Sequence, residues 1–172
     1  TAVPNAVVQA YQSNSMVAQG TTGTNGAVSL TLPSNTTTTF WVSLGSGSYI
    51  LETFSTLTST ITLNASTYFP ATLATNTTYA VPITITDSGN SITAYTNATV
   101  YSTDSGVTIT YPNTTTVNLF TVLKLVNLTV NGSPVTGNSA TVTFNAPMTI
   151  IGYYMVSAYT FMGIPINTTT LI

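Results

Sequence analysis

The stretch ITITDSGNSIT, residues 83–93, reads as strand, tight turn, strand. Ile83 and Ile85 alternate with Thr84 and Thr86, and Ile92 resumes the alternation after the turn. A period of two sends isoleucines to one face of a pleated strand and threonines to the other. Asp-Ser-Gly is good turn chemistry, with Asp bonding back to the chain and Gly accepting positive φ. The tetrapeptide TDSG returns at 103–106 inside STDSGVTIT (102–110), so the pair predicts two successive hairpins.

The same alternation spreads outward along the chain. AVSLTL (27–32) aligns Val28, Leu30 and Leu32, and TLTSTITL (56–63) aligns Leu57, Ile61 and Leu63. TYAVPITIT adds Tyr79 and Val81 to the isoleucine face; GVTITYP aligns Val107, Ile109 and Tyr111; SATVTFN aligns Ala140, Val142 and Phe144. Two segments are apolar on both faces, VNLFTVLKLVNLTV (117–130) and the run from 148, and these predict central strands covered on both sides. Turns are frequent (GSGS, DSGN, NGSPVTGN), and no stretch after residue 27 keeps a helical period. The expectation is an all-β protein, a sandwich of pilin or immunoglobulin type.

Composition narrows the function. Only Glu52, Asp87, Asp104 and Lys124 are charged, and there is no Arg, His or Cys. Nothing here neutralises phosphates, so no nucleic-acid partner is expected. Structural zinc, a thiol nucleophile, a Ser–His triad and disulfide staples all lack their residues. No cofactor is expected beyond covalent N-glycans. The polar work falls to Thr, Ser and Asn, a surface that barely responds to acid because it has almost nothing to protonate. Asn-x-Ser/Thr occurs at Asn35, Asn64, Asn76, Asn97, Asn113, Asn127, Asn131 and Asn167. Together with the missing charge these predict a glycan coat on an exported protein. Asn127, in a central strand, and Asn131, shortly before Pro134, are expected to be occupied least. No cleavable leader is visible at the start of the sequence. The run 148–166 is the one candidate for a membrane span; its Thr149, Gly152, Ser157, Thr160 and Pro165 favour buried strands instead, so no span is expected.

Lys124, the sole cation, falls on a strand face with Phe120, Val122, Val126 and Leu128, and Glu52 lies between Ile50 and Phe54. A buried Lys near a carboxyl group and an Asn is the arrangement that forms intramolecular isopeptide bonds in some surface pilins, the acid shuttling protons while the unprotonated Lys attacks the amide. The plainer readings are a buried Lys124–Glu52 ion pair or a snorkelling lysine.

Ahead of all these strands lies TAVPNAVVQAYQSNSMVAQ (1–19), followed by GTTGTNG (20–26). As a strand, segment 1–19 gathers Ala2, Ala6, Val8, Ala10, Met16 and Ala18 on one face, and Val3 is counted with the donor strand; as a helix it aligns Val3, Val7, Tyr11 and Val17/Ala18, with Pro4 near the first turn. The strand reading is preferred. Read so, the chain divides into a detached donor strand (1–19), a flexible linker (20–26) and a β-sandwich head (27–172). A sandwich lacking one strand exposes an apolar groove and unpaired edges. A tethered strand fills the groove of the next molecule, and because that contact is heterologous it builds an open chain. Seven linker residues span at most about 24 Å.

This Thr/Asn/Tyr-rich, nearly charge-free, sequon-studded chain with an apolar N-terminal tail resembles the thread filament subunits of thermoacidophilic archaea. The resemblance is one of composition over the whole chain. It implies a head similar to bacterial type 1 pilins, donor-strand exchange through the tail, heavy N-glycosylation and an extracellular homopolymer used in adhesion or biofilm formation, with no enzymatic activity. Archaeal type IV pilins share the composition but begin with a long apolar helix, for which Gln9, Gln12, Ser13, Asn14 and Ser15 are too polar. Two other classes stay open. Asp-Ser-Gly also resembles the signature of aspartic proteases, and a secreted acid-stable hydrolase predicts Asp87 and Asp104 facing one cleft. A surface-layer or carbohydrate-binding module predicts a solvent-facing cluster of Tyr153, Tyr154 and Tyr159.

Overall fold

The computed structural model describes residues 1–57, 60–161 and 164–166, with backbone pairing alone from 158 onward. It is an all-β sandwich of two sheets. The strands are β1 (Val7–Gln12), β2 (Ser15–Thr21), β3 (Thr38–Gly45), β4 (Ser48–Phe54), β5 (Phe69–Thr75), β6 (Pro82–Asp87), β7 (Asn90–Tyr95), β8 (Ala98–Ser102), β9 (Val107–Thr110), β10 (Thr114–Thr116), β11 (Thr121–Val130), β12 (Ser133–Val135), β13 (Ser139–Val142), β14 (Met148–Phe161) and β15 (Ile164–Ile166). One 3₁₀ turn, Ala65–Thr67, opens on an Asn64 cap.

The long sheet runs β10-β11-β14-β5-β8-β4-β3-β1-β2, with β12 against β11 and β15 against β14. The small sheet runs β13-β9-β6-β7. Between them lies the main core, in which Trp41, Leu51, Leu73 and Ile150 of the long sheet meet Ile83, Ile85 and Ile109 of the small one. Burying such a side chain contributes roughly 1.5–3 kcal/mol. Tyr111 is fully buried and donates its hydroxyl to the carbonyls of Ala74 and Ile150. Its ring lies where a Cβ on Gly152 would project, so β14 carries glycine at the one place where the ring crosses the strand.

Within the alternating segments 78–86, 106–112 and 139–145, strands β6, β9 and β13 form with Ile83, Ile85, Val107, Ile109, Ala140 and Val142 inward, and Val81, Tyr111 and Phe144 are buried beside them, whereas Tyr79 lies before β6 and is exposed. The first TDSG closes a two-residue hairpin, with Asp87 opposite Asn90 and positive φ at Ser88 and Gly89. The second does not. It carries the chain from β8 in the long sheet to β9 in the small sheet, so the expected second hairpin is a crossing between sheets.

Two further expectations changed. Segments 27–32 and 56–63 form no ladder among their described residues, yet Val28, Leu30, Leu32, Leu57, Ile61 and Leu63 pack inward. Alternation reports burial of one face, and a strand also needs a free edge to pair with. β11 and β14, predicted to be covered on both faces, are covered on one: Lys124, Val126, Asn127, Tyr153 and Met155 are exposed. No helix among the described residues is long and apolar enough to cross a membrane, and the run from 148 contributes the long strand β14.

Candidate functional site

The N-terminal segment is a hairpin. Ser13 and Asn14 take positive φ, a conformation Asn tolerates, and reverse the chain between β1 and β2. β1 pairs with β2 on one side and with β3 on the other, Val8 level with Val42 and Ala10 with Phe40. The single detached strand 1–19 is therefore two strands laid on the chain's own sheet edge. QSNS, read at first as polarity against a helix, is the turn. Ala6, Val8 and Ala10 are buried as expected, and Ala18 packs beside them. Val3 and Met16 are exposed, Met16 because a bulge at Ala10/Tyr11 puts it opposite Tyr11.

These side chains do not join the main core. With Phe40, Val42 and Ile50 they build a second, smaller one on the opposite face of the long sheet, roofed by Val28, Leu30, Leu32 and the 57–65 segment. The stretch 20–26 is pinned. Gly20 and Thr21 belong to β2, and Thr22 exchanges backbone bonds with Asn5 and Ala6 while its hydroxyl donates to the Val3 carbonyl. Gly26, at φ 73°, closes a turn against Val3 where a Cβ would collide.

The far end of the hairpin touches the first TDSG turn. The Asn14 N–H donates to Asn90 Oδ1 at 2.7 Å, and the Ser91 N–H donates to Asn14 Oδ1 at 3.0 Å. Asn90, itself buried, donates Nδ2 to Thr39 Oγ1 at 3.0 Å. Thr39 and Thr53 hydroxyls lie 2.8 Å apart, and Thr53 Oγ1 donates to Asp87 Oδ2 at 2.8 Å. A hydroxyl has one proton. Thr53 gives its own to Asp87, so Thr39 must be the donor to Thr53. Every bond in the series thus points the same way, from Asn14 through Asn90, Thr39 and Thr53 to the Asp87 carboxylate.

Asp87 has company. The Thr53 N–H donates to Asp104 Oδ2 at 2.9 Å, and Asp104 is hydrogen-bonded to Asp87 itself. The two TDSG motifs, one the β6–β7 turn and the other the crossing from β8 to β9, thus bring their aspartates together beside an open cleft of about 500 Å³ lined also by Thr37, Thr53, Ser55, Ser88 and Ser105. Glu52, the last acid of the chain, stands nearby with both carboxylate oxygens accepting from the Thr103 hydroxyl. Burial pushes the Asp104 carboxyl up to about 9, helped by the bond to Asp87 and by the charges of Asp87 and Glu52. Burial, with Glu52 and Asp104, also lifts the Tyr68 phenol to about 12. Asp104 is the natural holder of a proton shared with Asp87.

Lys124 lies elsewhere. Its partner Met155 is seven residues past Met148, which is level with Ala71 and Val100; Glu52 is three steps the other way, through Tyr101 and Ile50. Ten steps at ~3.3 Å separate them by roughly 33 Å along the strands, with four strand spacings across the sheet as well. Lys124 is also exposed. Within one chain, Glu52 can neither pair with Lys124 nor serve as the proton shuttle for an isopeptide bond formed by it.

Asn35, Asn64, Asn76, Asn97, Asn113, Asn127 and Asn131 are all exposed; Asn167 lies outside the described residues. Asn127 is on the open face of β11, so its central strand does not hide it. The Asn76 amide is engaged at both ends by β14, donating to the Tyr154 carbonyl at 3.0 Å and accepting from the Tyr154 N–H at 2.7 Å. Asn131 Oδ1 accepts from the Thr149 N–H. Of the three tyrosines named for a sugar platform, Tyr153 is exposed, Tyr154 is buried with its hydroxyl on the Pro112 carbonyl, and the side chain of Tyr159 lies outside the described set.

The two aspartates face one cleft, as the hydrolase reading of the repeated TDSG expects, although the turn reading is the one the sequence favours. The exact repeat of TDSG was the available signal. No protein-family model, curated protein or solved structure matches this chain.

Proposed function

We propose that this chain is the structural subunit of an extracellular filament, joined head to tail through its N-terminal hairpin, glycosylated at its exposed sequons and used for adhesion or biofilm formation. One observation carries the reading. Residues 1–21 form a hairpin laid on the β3 edge, whose Ala6, Val8 and Ala10 pack with Phe40, Val42 and Ile50 in the smaller core while Tyr11 packs against the main one. Such a unit can leave without dismantling the sandwich. The edge and groove it vacates then match the hairpin of a second copy, because every contact it made is available to the same sequence arriving from outside. A near-chargeless surface rich in Thr and Asn suits a polymer in acid, and glycans supply its solubility.

The test compares the full chain with one starting at Ala27, by electron microscopy in acid, with and without a synthetic peptide of residues 1–21. Filaments from the full chain alone, and saturable binding of the peptide by the shortened chain, are expected. Filaments from both chains would place the joint elsewhere and sink the proposal.

One observation favours a second reading, an acid-active hydrolase: Asp87 and Asp104 line one cleft and are both bonded to Thr53, as a general acid–base pair acting together requires. Cleavage of an unfolded protein substrate at pH 3–5, abolished by Asp104→Asn, supports it; equal background with both proteins removes it.

A further inference from the structure

We propose that the Asp87–Asp104 carboxyl pair is a pH-operated latch on the N-terminal hairpin, shut by a shared proton in acid and released when that proton is lost. This rests on reading the hairpin as the exchangeable joint, and adds how its exchange is controlled.

The geometry begins at the hairpin tip. Asn14 is the tip residue, and both its backbone N–H and its side-chain oxygen are bonded to the β6–β7 turn. From there the one-directional series through Asn90, Thr39 and Thr53 ends on Asp87. Thr39 and Asn90, the middle of the series, are buried, while Thr53 is half-buried at the cleft. Chains of donors aligned in one sense polarise one another and gain or fail together. The anchor of this chain is the Asp87 carboxyl group, which takes the Thr53 hydroxyl proton and lies beside Asp104. The pair is compatible while Asp104 keeps its proton.

The groups facing Asp104 are Asp87 at the end of β6, Glu52 on β4 and the Tyr68 phenol after the 3₁₀ turn. None of them is a cation, and Lys124 is roughly 33 Å away along the strands. When the Asp104 proton leaves to solvent, two carboxylates are left in contact with a third nearby. Their repulsion is relieved by parting β4 and the β8–β9 crossing from the β6–β7 turn. Thr53, bonded to both aspartates, straddles that parting. The series then loses its anchor, and the turn that grips Asn14 shifts with it. Acid therefore fixes a hairpin on whichever sheet it occupies, its own or a neighbour's, and higher pH frees it to exchange.

Hydrogen exchange of the full chain at pH 4, 6, 8 and 9.5, corrected for the intrinsic rate, tests this. Protection of the β1 amides should fall by about tenfold or more across the range while the central β14 amides stay protected. Asp104→Asn keeps an acceptor for Thr53 and a donor for Asp87 but cannot ionise, so its β1 protection should be flat. Thr53→Val cuts the series while leaving both acids, so its β1 protection should be low and flat, with Asp104 still titrating by carboxyl carbon-13 NMR. A flat wild type, or an Asp104→Asn protein that still loosens as pH rises, would overturn the latch. The readout needs no filaments. Filaments joined by the hairpin with pH-flat protection refute the latch alone, and pH-dependent protection without filaments refutes the joint alone.

Discussion

The outer face of the long sheet has two ends that were treated differently. At the β1–β3–β4 end, Val8, Ala10, Phe40, Val42 and Ile50 are roofed by the 27–33 and 57–65 segments. At the β11–β14 end the same face is bare, with Val126 62% and Met155 54% exposed and Lys124 between them. Both stretches are equally apolar in sequence. What separates them is the neighbouring chain: Val28, Leu30, Leu32, Leu57, Ile61 and Leu63 pack over one end, and among the described residues nothing does so over the other. Apolar residues on both sides of a strand therefore ask for a cover without ensuring that the same molecule provides it.

Substitutions can break that contrast, and their expected effects fall in a clear order. Phe40→Ala empties the roofed end of a ring that packs edge-on against Phe54 at 5.9 Å. It should cost about 3–5 kcal/mol in a denaturant titration and loosen the hairpin first. Gly152→Ala pushes a methyl into the Tyr111 ring on the inner face and should cost about 1–3 kcal/mol, with Tyr111 displaced. Asn76→Ala removes both bonds that hold β14 at Tyr154, for about 1–2 kcal/mol read by the same titration. Val126→Thr, at the bare end, should change stability by less than about 0.5 kcal/mol while raising solubility. A large loss there would mean that the bare end is covered in solution.

Acidity separates the two ends further. Asp104 holds its proton up to about 9 in the fold and loses it near the ordinary carboxyl range when unfolded. Between those limits the folded state binds more protons, so stability is full in acid and declines as pH rises. Melting temperatures from pH 3 to 9 should fall for the wild type and level out for Asp104→Asn, while substitutions around Lys124 leave the slope unchanged.

Much of the sandwich was legible because burial writes a period of two into strands such as β6, β7 and β9, where Ile83, Ile85, Ile92, Val107 and Ile109 obey it. Partner choice was not legible. Nothing local tells AVSLTL that no edge is free, or tells the second TDSG to cross between sheets while its twin turns back. The hairpin within residues 1–19 was visible in QSNS, had turn residues been weighed above the apolar face. The acid pair, with its hydroxyl series, joins residues 14, 39, 53, 87, 90 and 104, and only tertiary structure brings such distant positions together.

The pairing of β1 with β3 has a mechanical side. Val7 to Tyr11 run antiparallel along the edge of β3, with their ladder bonds across the strand direction. A pull along β1 loads all of those bonds at once in shear, whereas a pull on the tip at Asn14, away from the sheet, peels them one after another. The same ladder is thus strong under tension along its length and easily opened from its end, and the polar grip on Asn14 guards that end.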